Sequence, residues 1–196
     1  MLNPGFVTRK VLANWQDVPA FLPHFQFYEK HQTVIHTCHP ENILPLIANF
    51  DIRQDAVIRR LMSLRQIPKK LLRNKQAGSM SNFGLHSFTL LTQSASEICY
   101  GLRGQFWRTD FNLENMPDAS AFQTPVAAGK AKLLLRYQVT ERAPGQHELS
   151  TETFVYCSDR STQLKMTAYW LVIRAGSGWI RKRTLKAVKS NIEGLE

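Results

Sequence analysis

The sequence predicts an α+β fold, a meander of antiparallel strands closed by one long C-terminal helix. Three observations carry this. Across residues 83–158, apolar and polar residues alternate with the period of two that half-buried strands show. Across residues 159–196 the apolar spacing changes to three and four, which puts those residues on one face of a helix. Two short helical patterns follow the first strand, so helices and strands are segregated along the chain rather than alternating.

Residues 1–27 read as an irregular extension, interrupted by Pro4, Pro19 and Pro23. Trp15, Phe21, Phe25 and Phe27 are too many aromatics for a free tail, so the segment is expected to pack on the body. A single domain over 28–196 follows. Residues 28–38 are rich in β-branched side chains and predict the first strand. His39 and Pro40 end it. Pro40 suits a first helical position, and Ile43, Leu44, Ile47 and Phe50 follow at helical spacing. A second short helix is expected over 54–64, with Val57, Ile58, Leu61 and Leu64 on one side and Pro68 as its stop. Residues 69–80 read as a basic linker.

His86, Phe88 and Leu90 then alternate with Ser87 and Thr89. A turn over 93–96 leads into a strand over 97–108, where Ile98, Tyr100, Leu102, Gly104 and Phe106 share a face. Gly101 and Gly104 mark either a bend in the sheet or a close approach by a ligand or the long helix. A short strand is expected over 120–124. Over 130–140, Ala131, Leu133, Leu135, Tyr137 and Val139 lie on one face, and Lys132, Arg136 and Gln138 on the other. Pro144 and Gly145 make a turn. The partner strand over 147–158 places Leu149, Thr151, Thr153, Val155 and Cys157 on one face.

In the C-terminal helix, Leu164, Ala168, Leu171 and Ala175, then Leu185, Val188 and Ile192, mark the buried face. Asp159 or Ser161 caps its start. Gly176 and Gly178 predict a break, from which the last turns would move as a lid. The opposite face is basic: Arg160, Lys165, Arg174, Arg181, Lys182, Arg183, Lys186 and Lys189 stand against Glu193 and Glu196.

Composition narrows the functional classes. The formal charge is +10, with 43% hydrophobic residues, which favours acidic partners. Arg181, Lys182, Arg183, Lys186 and Lys189, with Trp179 beside them, suit either a solvated face or an anionic membrane surface. Nucleic acid is disfavoured because no reading module accompanies the charge. Cys38, Cys99 and Cys157 are scattered and form no CxxC pair, so they read as small strand or core residues in a reducing compartment. The N-terminus lacks the apolar stretch of a signal peptide, and no run is long enough for a membrane span, so a cytoplasmic location is expected. No nucleotide loop, zinc-protease motif or nucleophile elbow is present, and no cofactor is implied. His31, His36 and His39 are close in sequence but alternate in facing, so they read as strand and turn histidines rather than metal ligands.

Four stretches carry a resemblance: Glu29-Lys30-His31; the run from Glu97 through Gly101-Leu102-Arg103-Gly104 to Trp107; Thr151-Glu152-Thr153; and Tyr169-Trp170 with Ser177-Gly178-Trp179-Ile180-Arg181-Lys182. With the element order, they resemble the START-like (SRPBCC, helix-grip) superfamily, in a bacterial branch without an assigned activity, related to polyketide cyclases and lipid-transport proteins. The resemblance spans about residues 28–192. It implies a curved antiparallel sheet wrapped around the C-terminal helix, with an apolar cavity between them. That branch is expected to carry an arginine after Thr-Glu-Thr, where this chain has Phe154. Any ion pair made there is lost or supplied from elsewhere, such as Arg103.

The implied activity is binding or carriage of a hydrophobic or amphipathic small molecule: a lipid, an isoprenoid or a polyketide-like compound. His86, Phe88, Tyr100, Phe106, Tyr137, Tyr169 and Trp170 are the candidate lining residues. The alternative is a cyclase- or dehydratase-type enzyme in the same cavity, with His86 and Tyr100 or Tyr137 as acid–base groups. Glu97, Glu152 and Arg103 fit a structural ion pair across the sheet.

Overall fold

A computed structural model describes residues 5–49, 87–108 and 110–194. Its five strands are β1 (Phe27–His36), β2 (Thr89–Gln93), β3 (Glu97–Gly104), β4 (Ala131–Ala143) and β5 (Gln146–Cys157). They form one antiparallel sheet in the order β1-β5-β4-β3-β2. Four helices accompany it among the described residues: α1 (Arg9–Ala13), α2 (Ile43–Ala48), α3 (Ala119–Gln123) and α4 (Arg160–Glu193). A 3-10 turn over Pro40–Asn42 leads into α2, as Pro40 predicts. The expected helix over 54–64, the linker over 69–80 and His86 lie outside the described residues.

Alternation along the strands is as the sequence predicts, and register makes it into two faces. On the inner face, Glu29 lies opposite Thr153, Thr153 opposite Leu135, and Leu135 opposite Tyr100. The next rung is His31, Thr151, Tyr137 and Ile98. α4 packs on this face, chiefly over β1 and to a lesser extent β5, and α2 packs over β4. Two apolar clusters result. One joins Ile35, Ile98, Tyr100, Leu135, Tyr137 and Leu149 to α2 and to Leu185, Val188 and Ile192 of α4. The other joins Phe27, Leu102, Phe106, Ala131 and Val155 to Met166 and Trp170.

The outer face is covered as well. Leu22 and Phe25 from the N-terminal segment, with Met116 and Phe122 from the β3–β4 connection, close over Cys99, Leu134 and Phe154. Trp15 packs edge-on against Phe25 and Tyr28, at 5.0 and 4.5 Å between ring centroids. The extension is therefore a layer of the structure, as its aromatic content predicts.

Three expectations are overturned. Residues 119–123 form the helix α3 rather than a strand, because Asp118 caps it and accepts from the Ala121 amide at 2.9 Å. Gly101 and Gly104 admit neither ligand nor the long helix. A side chain at Gly101 would collide with Phe122, and one at Gly104 with the Phe111 carbonyl, so both let the β3–β4 connection approach. The predicted break in the C-terminal helix does not occur, and α4 runs unbroken through Gly176 and Gly178. Its start is as expected. The Asp159 carboxylate accepts from the Thr162 hydroxyl and amide and from the Gly129 amide, which together hold it well below the usual carboxylate range.

The two helix glycines differ in surroundings. Nothing lies within 4 Å of where a Gly176 side chain would begin, whereas at Gly178 it would meet His31 Nε2 at 3.1 Å and Glu29 Oε1 at 3.3 Å. Gly176→Ala is therefore expected to raise stability by about 0.5–1 kcal/mol through helix propensity. Gly178→Ala is expected to gain none of this and to lower stability. Denaturant melts of the two variants check the difference; equal gains would show that Gly178 makes no close approach.

Candidate functional site

A polar band divides the two apolar clusters of the inner face. β1 contributes Glu29 and His31, and β5 contributes Thr151 and Thr153, two residues apart in each strand and so on one side of the sheet. α4 lays Arg174, Gly178 and Arg181 over them, at the i, i+4, i+7 spacing of one helix face. Glu29 is buried. Its carboxylate lies 3.3 Å from Arg174 Nε, 3.4 Å from Arg181 Nη1 and 3.4 Å from His31 Nε2. Gly178 leaves the space that brings the helix this close. The band reaches solvent beside α4, where the side chains of His31, Arg181 and Arg174 are 13%, 15% and 30% exposed.

Burial would raise the Glu29 carboxyl, but His31, Arg181 and Arg174 outweigh it and hold it below its ordinary 4.5. Burial lowers the Arg181 guanidinium, against the pull of Glu29. Burial pushes the phenols of Tyr137 and Tyr100 up, so both stay neutral at physiological pH. The band thus holds one carboxylate among two guanidiniums and carries excess positive charge. Among the described residues, the buried Thr153 hydroxyl has no hydrogen-bond partner, and the His31 Nε2 contact to Glu29 is long, at 3.4 Å. The Thr151 hydroxyl lies opposite Tyr137, close enough to stabilise its phenolate but without a well-directed bond. Each such buried group costs about 1–3 kcal/mol unless something bonds to it.

The six sequence-predicted lining residues other than His86 lie on this face, in two groups. Tyr100 and Tyr137 belong to one cluster, and Phe106 and Trp170 to the other, all four buried. Phe88 packs against both, edge-on to Tyr100 at 6.5 Å, and Tyr169 packs beside Trp170. Sequence reasoning gives the polar residues between them no role in the site: Thr151 and Thr153 read as strand-face residues, His31 as a strand histidine, and Arg174 and Arg181 as part of the basic helix face. Their signal is the run of hydrophilic residues within each strand face, Glu29, His31 and Thr33 between Phe27 and Ile35, and Thr151 and Thr153 between Leu149 and Val155.

The basic run is divided. Arg181 turns inward to Glu29, and Lys189 donates to the Val34 carbonyl at 2.7 Å and pairs with Glu193. Lys182, Arg183 and Lys186 remain exposed. Arg103 meets neither Glu97 nor Glu152. It pairs with Glu114 at 2.7 Å and donates to the Ala121 carbonyl and the Thr124 hydroxyl. Arg136 takes the expected role on the outer face. It donates to Glu152 at 2.7 Å and to Asp17 at 2.6 Å, and lies 3.6 Å from Glu97. Phe154, where the resemblance leads one to expect arginine, lies under the Arg136 guanidinium at 5.3 Å. Glu152 also accepts from the Tyr28 hydroxyl at 2.6 Å. This cluster floors an open cleft of about 680 Å³ beneath α1, and a second cleft of about 1140 Å³ lies between the N-terminal segment and the start of α4. Of the three neighbouring histidines, His31 joins the band, while His36 and His39 are exposed, their backbone amides bonding to Glu193 and Thr37. Cys99 and Cys157 are buried and their thiols pushed up to about 12 by burial; Cys38 is exposed, not a core residue.

Because the folded-state value of Glu29 lies below 4.5, its stabilisation is complete above that pH and is lost as pH falls through the folded value. Glu29→Gln is expected to lower stability by about 1–3 kcal/mol near neutral pH, since it leaves the half-buried Arg174 and Arg181 guanidiniums without their carboxylate. The gap to the native chain should narrow in acid. Urea melts at neutral and acid pH check this; a gap that stays constant with pH would remove Glu29 from the titrating set. No protein-family model, no curated protein and no solved structure matches this chain.

Proposed function

We propose that this chain binds or carries an amphipathic small molecule, of lipid, isoprenoid or polyketide-like type, between the inner face of the sheet and α4. The helix-grip arrangement that the sequence resembles implies such a site. One observation carries the reading: the buried hydroxyls of Thr151 and Thr153, without well-directed partners, lie in a positively biased band between two apolar clusters. A ligand with a hydrogen-bonding or anionic end would satisfy them, and its apolar body would rest against the aromatic side chains on either side. Tyr100 and Phe88 serve one side, and Phe106 and Trp170 the other. Burying about 300 Å² of ligand surface is worth roughly 7 kcal/mol before association costs, so the mechanism needs no covalent chemistry. The ligand leaves water, and the band orients its polar end.

A second reading is turnover of cyclase or dehydratase type at the same band. The observation in its favour is the His31 imidazole beside the Glu29 carboxylate, with the neutral Tyr137 phenol on the same rung as His31. A ligand recovered chemically unchanged after incubation with the protein argues for carriage; a converted one argues for turnover.

Native mass spectrometry of the purified protein, followed by solvent extraction, tests for a bound apolar molecule. Thr153→Val sharpens the test. Removing an unpartnered buried hydroxyl is expected to stabilise the empty protein by about 1 kcal/mol. The same change is expected to weaken ligand binding about fivefold to tenfold. A variant that is destabilised, or one that binds ligand unchanged, would remove the band from the binding site.

A further inference from the structure

The outer side of α4 departs furthest from the sequence pattern. Leu164, Ala168 and Leu171, whose spacing predicts the buried face, are exposed, and Val172 and Trp179 lie beside them. Leu164, Leu171, Val172 and Trp179 are 66%, 58%, 81% and 41% exposed. In the first half of α4 the side that packs on the sheet is carried instead by Met166 and Trp170, while in the second half Leu185, Val188 and Ile192 are buried as their spacing predicts. The first half of α4 is therefore apolar on two opposite sides, and a helix of that kind is suited to two apolar environments. Among the described residues, no apolar cluster includes the outer side.

Charge selects the occupant. Lys182, Arg183 and Lys186 continue the same side of the helix and are exposed. The Arg183 guanidinium stacks over Trp179 at 5.4 Å, which joins the apolar and cationic parts into one surface. The only acid in α4 is Glu193, and it already bonds to His36 and Lys189. A second copy of the chain fits poorly. Cations stand at both ends of the stripe, with Arg160 and Lys165 at one and Lys182, Arg183 and Lys186 at the other. Parallel and antiparallel pairing both set like charges opposite each other. Nucleic acid would meet the cations but offers no apolar partner to Leu171 and Val172.

We infer that this side of α4 docks on an anionic lipid surface. Leu164, Leu171, Val172 and Trp179 enter the boundary between headgroups and acyl chains, and Lys182, Arg183 and Lys186 meet the phosphates. The apolar stripe runs about 22 Å along the helix axis, which lays α4 flat on the surface. The inference stands apart from the ligand site, which uses the opposite side of the same helix.

Flotation of the full chain with phosphatidylcholine vesicles, with and without phosphatidylglycerol, tests it at low and high salt. Binding is expected only to the phosphatidylglycerol vesicles and is expected to fall as salt rises. Leu171→Gln/Val172→Gln should cut partitioning about tenfold or more, and Lys182→Gln/Arg183→Gln/Lys186→Gln about a hundredfold. Both sets lie on the exposed side, so thermal melting should stay unchanged. Acyl-brominated lipids should quench tryptophan emission, and Trp179→Phe should remove most of that quenching. Absence of binding to anionic vesicles would overturn the inference. So would binding that both variants retain, or a dimer that Leu171→Gln/Val172→Gln dissociates.

Discussion

Burial of the Glu29 carboxylate beneath α4 determines how the helix lies on the sheet. An unpaired carboxylate there would cost several kcal/mol. The partners come from residues two turns apart on the helix, Arg174 and Arg181, with Gly178 between them and His31 alongside. Apolar packing alone tolerates small shifts of one element over another. A carboxylate held between two guanidiniums does not, because a slip of one residue turns the helix by about 100° and carries both away. The ion cluster fixes rotation and register, and the apolar clusters at either end supply the area.

Buried arginines repeat this device on the outer face. Arg136 ties β4 to Asp17 in the N-terminal segment, and Arg103 ties β3 to Glu114 in the β3–β4 connection. In each case a strand residue holds a segment that has little regular structure of its own. Three of the ion clusters on the sheet therefore each place an element that is not a strand: α4, the N-terminal segment and the β3–β4 connection. The apolar side chains under these segments, such as Leu22, Phe25, Met116 and Phe122, are then held where they exclude water from Leu134 and Phe154.

Much of this was legible in the sequence. Strand alternation gave β1, β3, β4 and β5 to within a few residues, and the aromatic content of the first 27 residues indicated a packed layer. Three things were not legible, each for a physical reason. The inward face of the first half of α4 was misassigned because Leu164, Met166, Trp170, Leu171 and Val172 surround the helix, and spacing alone cannot rank two apolar sides. The larger Met166 and Trp170 took the core. The helix α3 was missed because its cap, Asp118, lies outside the short run that resembled a strand. The partner of Glu152 was sought in Arg103 when register sets Arg136 opposite it, and register cannot be read before the pairing is known. The polar band was half visible. Thr151 and Thr153 were placed with Leu149 and Val155 on one face, but only the fold brings Glu29, His31 and Arg181 to them.

The edge of the sheet at β1 shows a further use of the same side chains. Near its start, the Gly5 carbonyl accepts from the Tyr28 amide, and Phe6 bridges to Phe27. Near its end, Lys189 covers the Val34 carbonyl and Glu193 takes the His36 amide. Open sheet edges are templates on which other chains add strands and begin to aggregate. Here one end of the template is occupied by the chain's own N-terminal segment and the other by a charged pair from α4. A chain lacking its first two dozen residues would lose more than a packed layer: it would also bare the apolar start of β1 to its neighbours, so that solubility, rather than ligand binding, would be the first property to fail.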